Sequence, residues 1–148
     1  MSWLTGTRTT PELTSSEMHR QTAARLADKK RAWTGLSGDT LTGAEIAQHL
    51  DAARTYLTEH GWRTRGGAPH DEVPLALFAT AQAGEGDDDT HTASIRILDL
   101  IVAVRAGVPR AEFRAWEGRR GRTWTEVATL LRDAAQFARE HGPTGGDR

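Results

Sequence analysis

The side chains in this sequence that could bind a metal ion lie in two short segments. One is His70-Asp71-Glu72, and the other is the acidic run Asp87-Asp88-Asp89 with His91 close behind it. Carboxylate oxygens suit calcium, and imidazole nitrogens suit zinc. Neither segment has the spacing of a calcium-binding loop or of a zinc-binding helix with two histidines one turn apart. We therefore predict no metal site, and we interpret the acidic run as a solvated loop.

The sequence also lacks the common catalytic motifs. It contains no cysteine, which excludes disulfides, thiolate metal sites and cysteine nucleophiles. A serine nucleophile of the hydrolase type would need a Gly-x-Ser-x-Gly turn, and the sequence has none. The segment Arg65-Gly66-Gly67-Ala68 is a flexible turn rather than a phosphate-binding loop. The sequence predicts a protein that is not an enzyme and uses no cofactor.

Basic and aromatic residues are combined in one segment, where Arg119, Arg120 and Arg122 lie between Trp116 and Trp124. Positive charge together with stacking rings is how proteins hold single-stranded nucleic acid. The alternative is a solvated corner whose tryptophans belong to the core, and we prefer it. The arginines lie close to the start of the last predicted helix, where the helix dipole disfavours cations. That conflict keeps an anionic partner as an alternative.

The chain as a whole is almost neutral. Its 19 basic and 20 acidic residues give a formal net charge of −1, so no global field attracts nucleic acid or an anionic membrane. Any such binding needs a local patch. No apolar stretch approaches the length of a membrane span, and the N-terminus lacks the pattern of a secretory signal. We expect a cytoplasmic protein with no membrane contact.

The 148 residues suffice for about one domain. Apolar residues recur every three or four positions in most segments, and none alternates with period two for long enough to predict a strand. The clearest example is the helix that begins at the capping box Thr42–Glu45 and ends at Gly61. We predict an all-α fold, a compact bundle of about five helices with an N-terminal helical arm. Of the other predicted helices, the first covers about 16–33 and the last about 123–140. The three between them begin at Pro74, at Thr90 or Thr92, and at Pro109.

The predicted organisation has three parts: residues 1–40 as an arm with one helix and a linker, 41–142 as the helical domain, and 143–148 as a disordered tail. The arm carries large apolar residues on a thin stripe, which cannot bury much surface by itself. Such residues commonly mark a contact with a partner or with a second copy. Docking of the arm onto its own domain explains them equally well, and both alternatives stay open.

A helix-turn-helix DNA reader is a second hypothesis. The segment 41–50, with its Ile46-Ala47 pair, resembles the start of such a motif. Gln48, Arg54, Arg63 and Arg65 would then contact DNA. The turn of the motif would fall at Asp51-Ala52-Ala53, which contains no glycine, and the helical period continues through it. One long helix explains the pattern better.

Two motifs carry a family resemblance. The first extends from Leu50-Asp51-Ala52-Ala53-Arg54 to Gly61-Trp62, and the second is Trp116 followed by Gly121-Arg122-Thr123 and Glu126-Val127. From His49 onward the chain resembles an uncharacterised family of small helical proteins from actinobacteria and their phages. Members usually have asparagine and aspartate where this chain has Glu117 and Gly118. The resemblance implies a helical fold and no known reaction, and any chemical role of that Asn-Asp pair would be lost here.

From these observations we expect a non-enzymatic interaction protein that binds a protein partner or itself. A sequence-reading DNA regulator is the alternative. The expected contact surface combines the N-terminal arm with the tryptophan corner: Trp3, Met18, Leu26, Trp33, Trp116, Arg119, Arg120, Arg122 and Trp124.

Overall fold

A computed structural model describes residues 14–26, 30–62 and 72–145. Within these ranges the chain forms no strand, and none of the helices has an apolar stretch long enough to cross a bilayer. The predicted all-α fold is confirmed. Its elements are α1 (Ser15–Leu26), a 3-10 helix (Lys30–Trp33), α2 (Gly43–His60), α3 (Glu72–Gln82), α4 (Asp88–Ala106), α5 (Phe113–Glu117) and α6 (Trp124–His141).

The longer helices α2, α4 and α6 begin at capping boxes. In each box the side chain of the residue before the helix accepts a hydrogen bond from the backbone N–H three residues later, and the side chain of that later residue accepts one from the backbone N–H of the first. The predicted box of α2, Thr42 with Glu45, is confirmed. For α4 the predicted caps Thr90 and Thr92 are wrong. Asp87 precedes the helix and accepts from the Thr90 backbone N–H, while the Thr90 hydroxyl accepts from the Asp87 backbone N–H.

Other predicted helix limits also differ from the structure. Helix α3 includes Glu72, two residues before the predicted start at Pro74. The first helix is described from Ser15 to Leu26, and Lys30–Trp33 form a 3-10 helix instead of continuing that α-helix to Trp33. The short helix expected at Pro109 begins four residues later, at Phe113. Its start is set by α4, because an Asp99 carboxylate oxygen accepts a hydrogen bond from the Phe113 backbone N–H at 2.7 Å. A distant side chain therefore provides the cap that no local residue supplies.

Helix α2 lies at the centre of the bundle and packs against α3, α4 and α6. The first turn of α2 touches the last turn of α6. A Cβ atom on Gly43 would lie only 1.9 Å from the Ala138 carbonyl oxygen. The same glycine donates its N–H to the Pro143 carbonyl at 2.8 Å, so Pro143, in the predicted tail, is hydrogen-bonded. Only glycine permits so close an approach of two backbones. The buried positions of α2 are Gly43, Ile46, Ala47, His49, Leu50, Ala53 and Leu57.

Helix α1 packs on α4 and α6, which favours the docking alternative for the N-terminal arm. Met18 is 3% exposed, and Thr22 is fully buried. The ring of His19 meets Phe137 of α6 edge-on at 5.7 Å between centroids. Trp33 stacks on the same Phe137, with centroids 6.0 Å apart and planes 14° from parallel. The described part of residues 1–40 therefore shares one core with the helices that follow.

The Gly43 contact generates a prediction about stability. Gly43→Ala should lower the free energy of unfolding by about 1–3 kcal/mol, because the new methyl group meets a backbone carbonyl that cannot turn away. Gly145→Ala is the control, since nothing lies within 4 Å of a Cβ there. Urea unfolding followed by circular dichroism measures both. Equal stability of the two variants would contradict the close packing of α2 on α6.

Candidate interaction surfaces

The tryptophan corner is built around a buried carboxylate. Glu117, the last residue of α5, has no exposed surface. Its Oε2 accepts a hydrogen bond from the Trp62 indole Nε1–H at 2.8 Å and another from the Val73 backbone N–H at 3.0 Å. Val73 lies in the first turn of α3, where N–H groups have no partner within the helix. One carboxylate thus joins the end of α2, the start of α3 and α5.

The tryptophans of the corner pack inside it. The Arg122 guanidinium lies 3.8 Å from the centre of the Trp116 ring and donates through Nε to the Trp116 carbonyl at 2.9 Å. Trp124 lies 6.4 Å from Trp62, centroid to centroid. Phe113 contacts another side of Trp116 at 5.6 Å. Trp116 and Trp124 are therefore parts of the packing, as in the preferred interpretation of the sequence.

The basic residues of the corner differ in their surroundings. Arg122 pairs with Glu126 at 3.2 Å and is only partly exposed. Burial lowers the pKa of Arg122, and repulsion from Arg119 and Arg105 adds to that, whereas Glu126 opposes it. Arg119 and Arg120 are exposed. The arginines predicted as contact residues therefore divide into one that holds the corner together and two that face solvent.

The residues predicted for contact on the arm do not form one exposed surface. Met18 is buried, and Trp33 is covered in part by Phe137. Trp3 and the side chain of Leu26 lie outside the described residues. The expected surface of arm and corner is therefore not assembled by the residues that the structure describes, apart from Arg119 and Arg120.

The helix-turn-helix hypothesis for residues 41–57 is not supported by the backbone. Residues Gly43–His60 form one continuous helix, without a turn at 51–53. Gln48 and Arg54 are six positions apart, which places them on different sides of that helix. Arg54 pairs with Asp51 at 3.9 Å. Arg63 and Arg65 lie outside the described residues.

Gln48 also lies in surroundings that repel DNA. It lines a cleft of about 710 Å³ that contains five carboxylates, those of Asp39, Glu45, Glu85, Asp87 and Asp89. Three of them hold the fold together: Glu45 and Asp87 cap helices, and Asp89 accepts from the backbone and hydroxyl of Ser37. The part of the chain that the structure describes contains no group of residues arranged to hold a metal ion. Three of the five carboxylates of this cleft are therefore explained by hydrogen bonds within the fold.

A buried histidine forms the joint behind this cleft. His49 of α2 has no exposed surface, and its Nε2 lies 2.8 Å from the Leu77 carbonyl oxygen of α3. A carbonyl only accepts, so Nε2 carries the proton, and Nδ1 accepts from the Thr90 hydroxyl of α4 at 2.7 Å. A Cβ on Gly86 would lie 2.4 Å from Nδ1, so the loop before α4 closes tightly over the ring. Burial lowers the pKa of His49 below its ordinary value, which favours the neutral form of the ring at pH 7.

The outer face of α3 is exposed and apolar. Leu75 is 58% exposed and Phe78 is 52% exposed, one helical turn apart. The opposite face, with Val73, Ala76 and Leu77, lies in the core. No charged residue occurs between Glu72 and Glu85. A helix that is apolar on both sides needs a neighbour on both sides.

Sequence reasoning missed three of these features. It treated Glu117 only as a departure from a family motif, and it assigned no role to His49 or to the outer face of α3. A sequence signal existed only for α3, in the charge-free interval from 73 to 84. Nothing local distinguishes the other two, because their partners are 28 to 55 residues away in the chain.

A family model matches residues 41–137, which span α2 to α6 and include Glu117, His49 and the outer face of α3. The chain belongs to DUF6197, a family of unknown function. No curated protein and no solved structure matches it significantly. The family region begins after α1, so the docked N-terminal helix lies outside the matched segment.

Loss of the Glu117 carboxylate should destabilise the fold strongly. Glu117→Ala leaves the Trp62 and Val73 N–H donors without this acceptor and should lower the free energy of unfolding by about 3 kcal/mol. Glu112→Ala is the matched control, because Glu112 is exposed and makes no capping hydrogen bond. Thermal unfolding compares the two variants, and tryptophan fluorescence reports the release of Trp62. Equal melting temperatures would refute the bracing role of Glu117.

The neutral His49 predicts a fall in stability at mildly acid pH. Its pKa is lowered in the fold, so the unfolded chain binds a proton more readily below the ordinary value of 6.5. The free energy of unfolding is therefore unaffected by this histidine above pH 6.5 and decreases as the pH falls below it, by at most about 1.4 kcal/mol per pH unit. His91, whose pKa is also lowered by burial, adds in the same direction. Urea titrations at several pH values test this, and His49→Gln should flatten the dependence. Titration of the His49 ring near pH 6.5 in the folded protein, measured by NMR, would contradict the prediction.

Proposed function

We propose that this protein is a non-enzymatic interaction domain that associates with a second copy of itself through the outer face of α3. The observation that carries the proposal is the pair Leu75 and Phe78, both more than half exposed on a helix whose opposite face is packed into the core. Exposed apolar side chains on a charge-free face are typical of a contact surface.

The absence of charge along α3 favours a second copy over another partner. In a two-fold contact the same patch lies on both sides, so a charge close to the symmetry axis would face its own copy. The face between Glu72 and Glu85 contains none. Its residues can therefore meet their own symmetry mates without repulsion, with Leu75 and Phe78 of one protomer against those of the other.

The size of the patch sets the strength of the contact. A half-exposed phenylalanine and a half-exposed leucine leave roughly 200 Å² of apolar surface, well below the approximately 800 Å² per partner of a standard interface. We therefore expect a weak, reversible dimer, in which neighbouring residues add the remaining area.

Sedimentation velocity between about 10 μM and about 1 mM protein tests the proposal. The wild-type chain should show a sedimentation coefficient that rises with concentration. The double variant Leu75→Lys/Phe78→Lys should remain a monomer over the same range, because two charged side chains would face their copies across the two-fold axis.

Leu36→Lys serves as the matched control. Leu36 is 71% exposed, lies in the loop between the 3-10 helix and α2, and has no place in the proposed contact. This variant should dimerise like the wild type. A wild-type chain that stays monomeric at all concentrations would disprove the proposal, and so would equal loss of association in the Leu36 variant.

A further inference from the structure

Positive charge is concentrated at one end of the molecule. Residues 105–122, from the last turn of α4 to the start of α6, contain six arginines and two glutamates, a formal charge of +4. The whole chain has −1, so the other residues together carry −5. One of the two glutamates, Glu117, is buried and contributes nothing to the surface. We call the exposed arginines of this segment the basic end: Arg105, Arg110, Arg114, Arg119 and Arg120.

The opposite end of α4 is acidic. Helix α4 contains 19 residues and is therefore about 28 Å long. It begins with Asp88 and Asp89, next to the carboxylate-lined cleft, and its last turn carries Arg105. A molecule with charges separated in this way orients itself in the field of a polyanion, with the basic end forward.

The corner holds this cluster together despite mutual repulsion. Arg122 is fixed over Trp116 and paired with Glu126, and the charges of Arg105 and Arg119 are both near enough to lower its pKa. Within the part of the chain that the structure describes, Arg105, Arg110 and Arg119 form no ion pair. Their charges are compensated only by solvent, so an anionic partner would gain from all three.

We propose that the basic end binds the phosphate backbone of nucleic acid, without reading the base sequence. Several exposed guanidinium groups, spread over two helix ends and a loop, match the repeated phosphates of a nucleic acid strand. A small anion would instead need buried donors that converge on one point. The Trp116 ring is already in contact with Arg122 and Phe113, so the proposed binding rests on charge rather than on base stacking.

This contact is separate from the proposed dimer. The basic end lies on α4, the loop after it, α5 and the loop before α6, whereas the dimer uses Leu75 and Phe78 of α3. It also differs from the helix-turn-helix hypothesis, which used Gln48, Arg54, Arg63 and Arg65. Of these, Gln48 lines an acidic cleft in the structure. Failure of one proposal would leave the other standing.

Fluorescence anisotropy with a labelled random-sequence DNA duplex of about 20 base pairs tests the proposal. Binding should be measurable at about 50 mM KCl and about 100-fold weaker at about 200 mM, as expected if about four phosphates are contacted. The triple variant Arg105→Gln/Arg110→Gln/Arg119→Gln should bind at least about tenfold more weakly and with a smaller salt dependence. A second duplex of unrelated sequence should bind equally well.

The control is the triple variant Arg20→Gln/Arg132→Gln/Arg139→Gln, which removes the same number of charges from exposed positions outside the basic end. It should bind DNA nearly as well as the wild type. Circular dichroism shows that both variants are folded. Equal weakening by the two variants would overturn the proposal. The same holds for no binding at low salt, or for binding to phosphatidylserine vesicles without binding to DNA.

Discussion

The close contact between the first turn of α2 and the last turn of α6 is the constraint on which the bundle depends. Gly43 allows the two backbones to meet, and the hydrogen bond from Gly43 to Pro143 fixes the register of the two helices. With α2 held in this position, one side of it meets α6 and the rest meets α3 and α4. Burial of His49 follows from that central position, because helices pack against α2 from several directions.

Two buried polar groups then determine how the shorter elements are arranged. His49 joins α2 to α3 and α4, and Glu117 joins the end of α2 to the start of α3 and to α5. Each satisfies donors or acceptors that would otherwise be costly inside the protein. Helix α3 is therefore held at its start by Glu117 and near its middle by His49, which keeps its outer face, with Leu75 and Phe78, in a fixed position.

The sequence was sufficient to predict features that depend on neighbouring residues. The helical period, the Thr42–Glu45 cap and the end of α2 at Gly61 are such features, and all are confirmed. Features that depend on distant partners were missed or misplaced. The start of α5 depends on Asp99, and the role of Glu117 depends on Trp62 and Val73. Local spacing carries no information about either, and the family match adds none on activity.

The docked N-terminal helix has a consequence for how the chain is divided. The family region starts at residue 41, yet Met18 and Thr22 are buried against helices within that region. A fragment that starts at residue 41 would lack α1 and would expose the surface of α4 and α6 on which α1 packs, including one side of Phe137. If such a fragment associates with itself, the newly exposed apolar surface of α4 and α6 can be the cause, and this surface is covered in the intact chain.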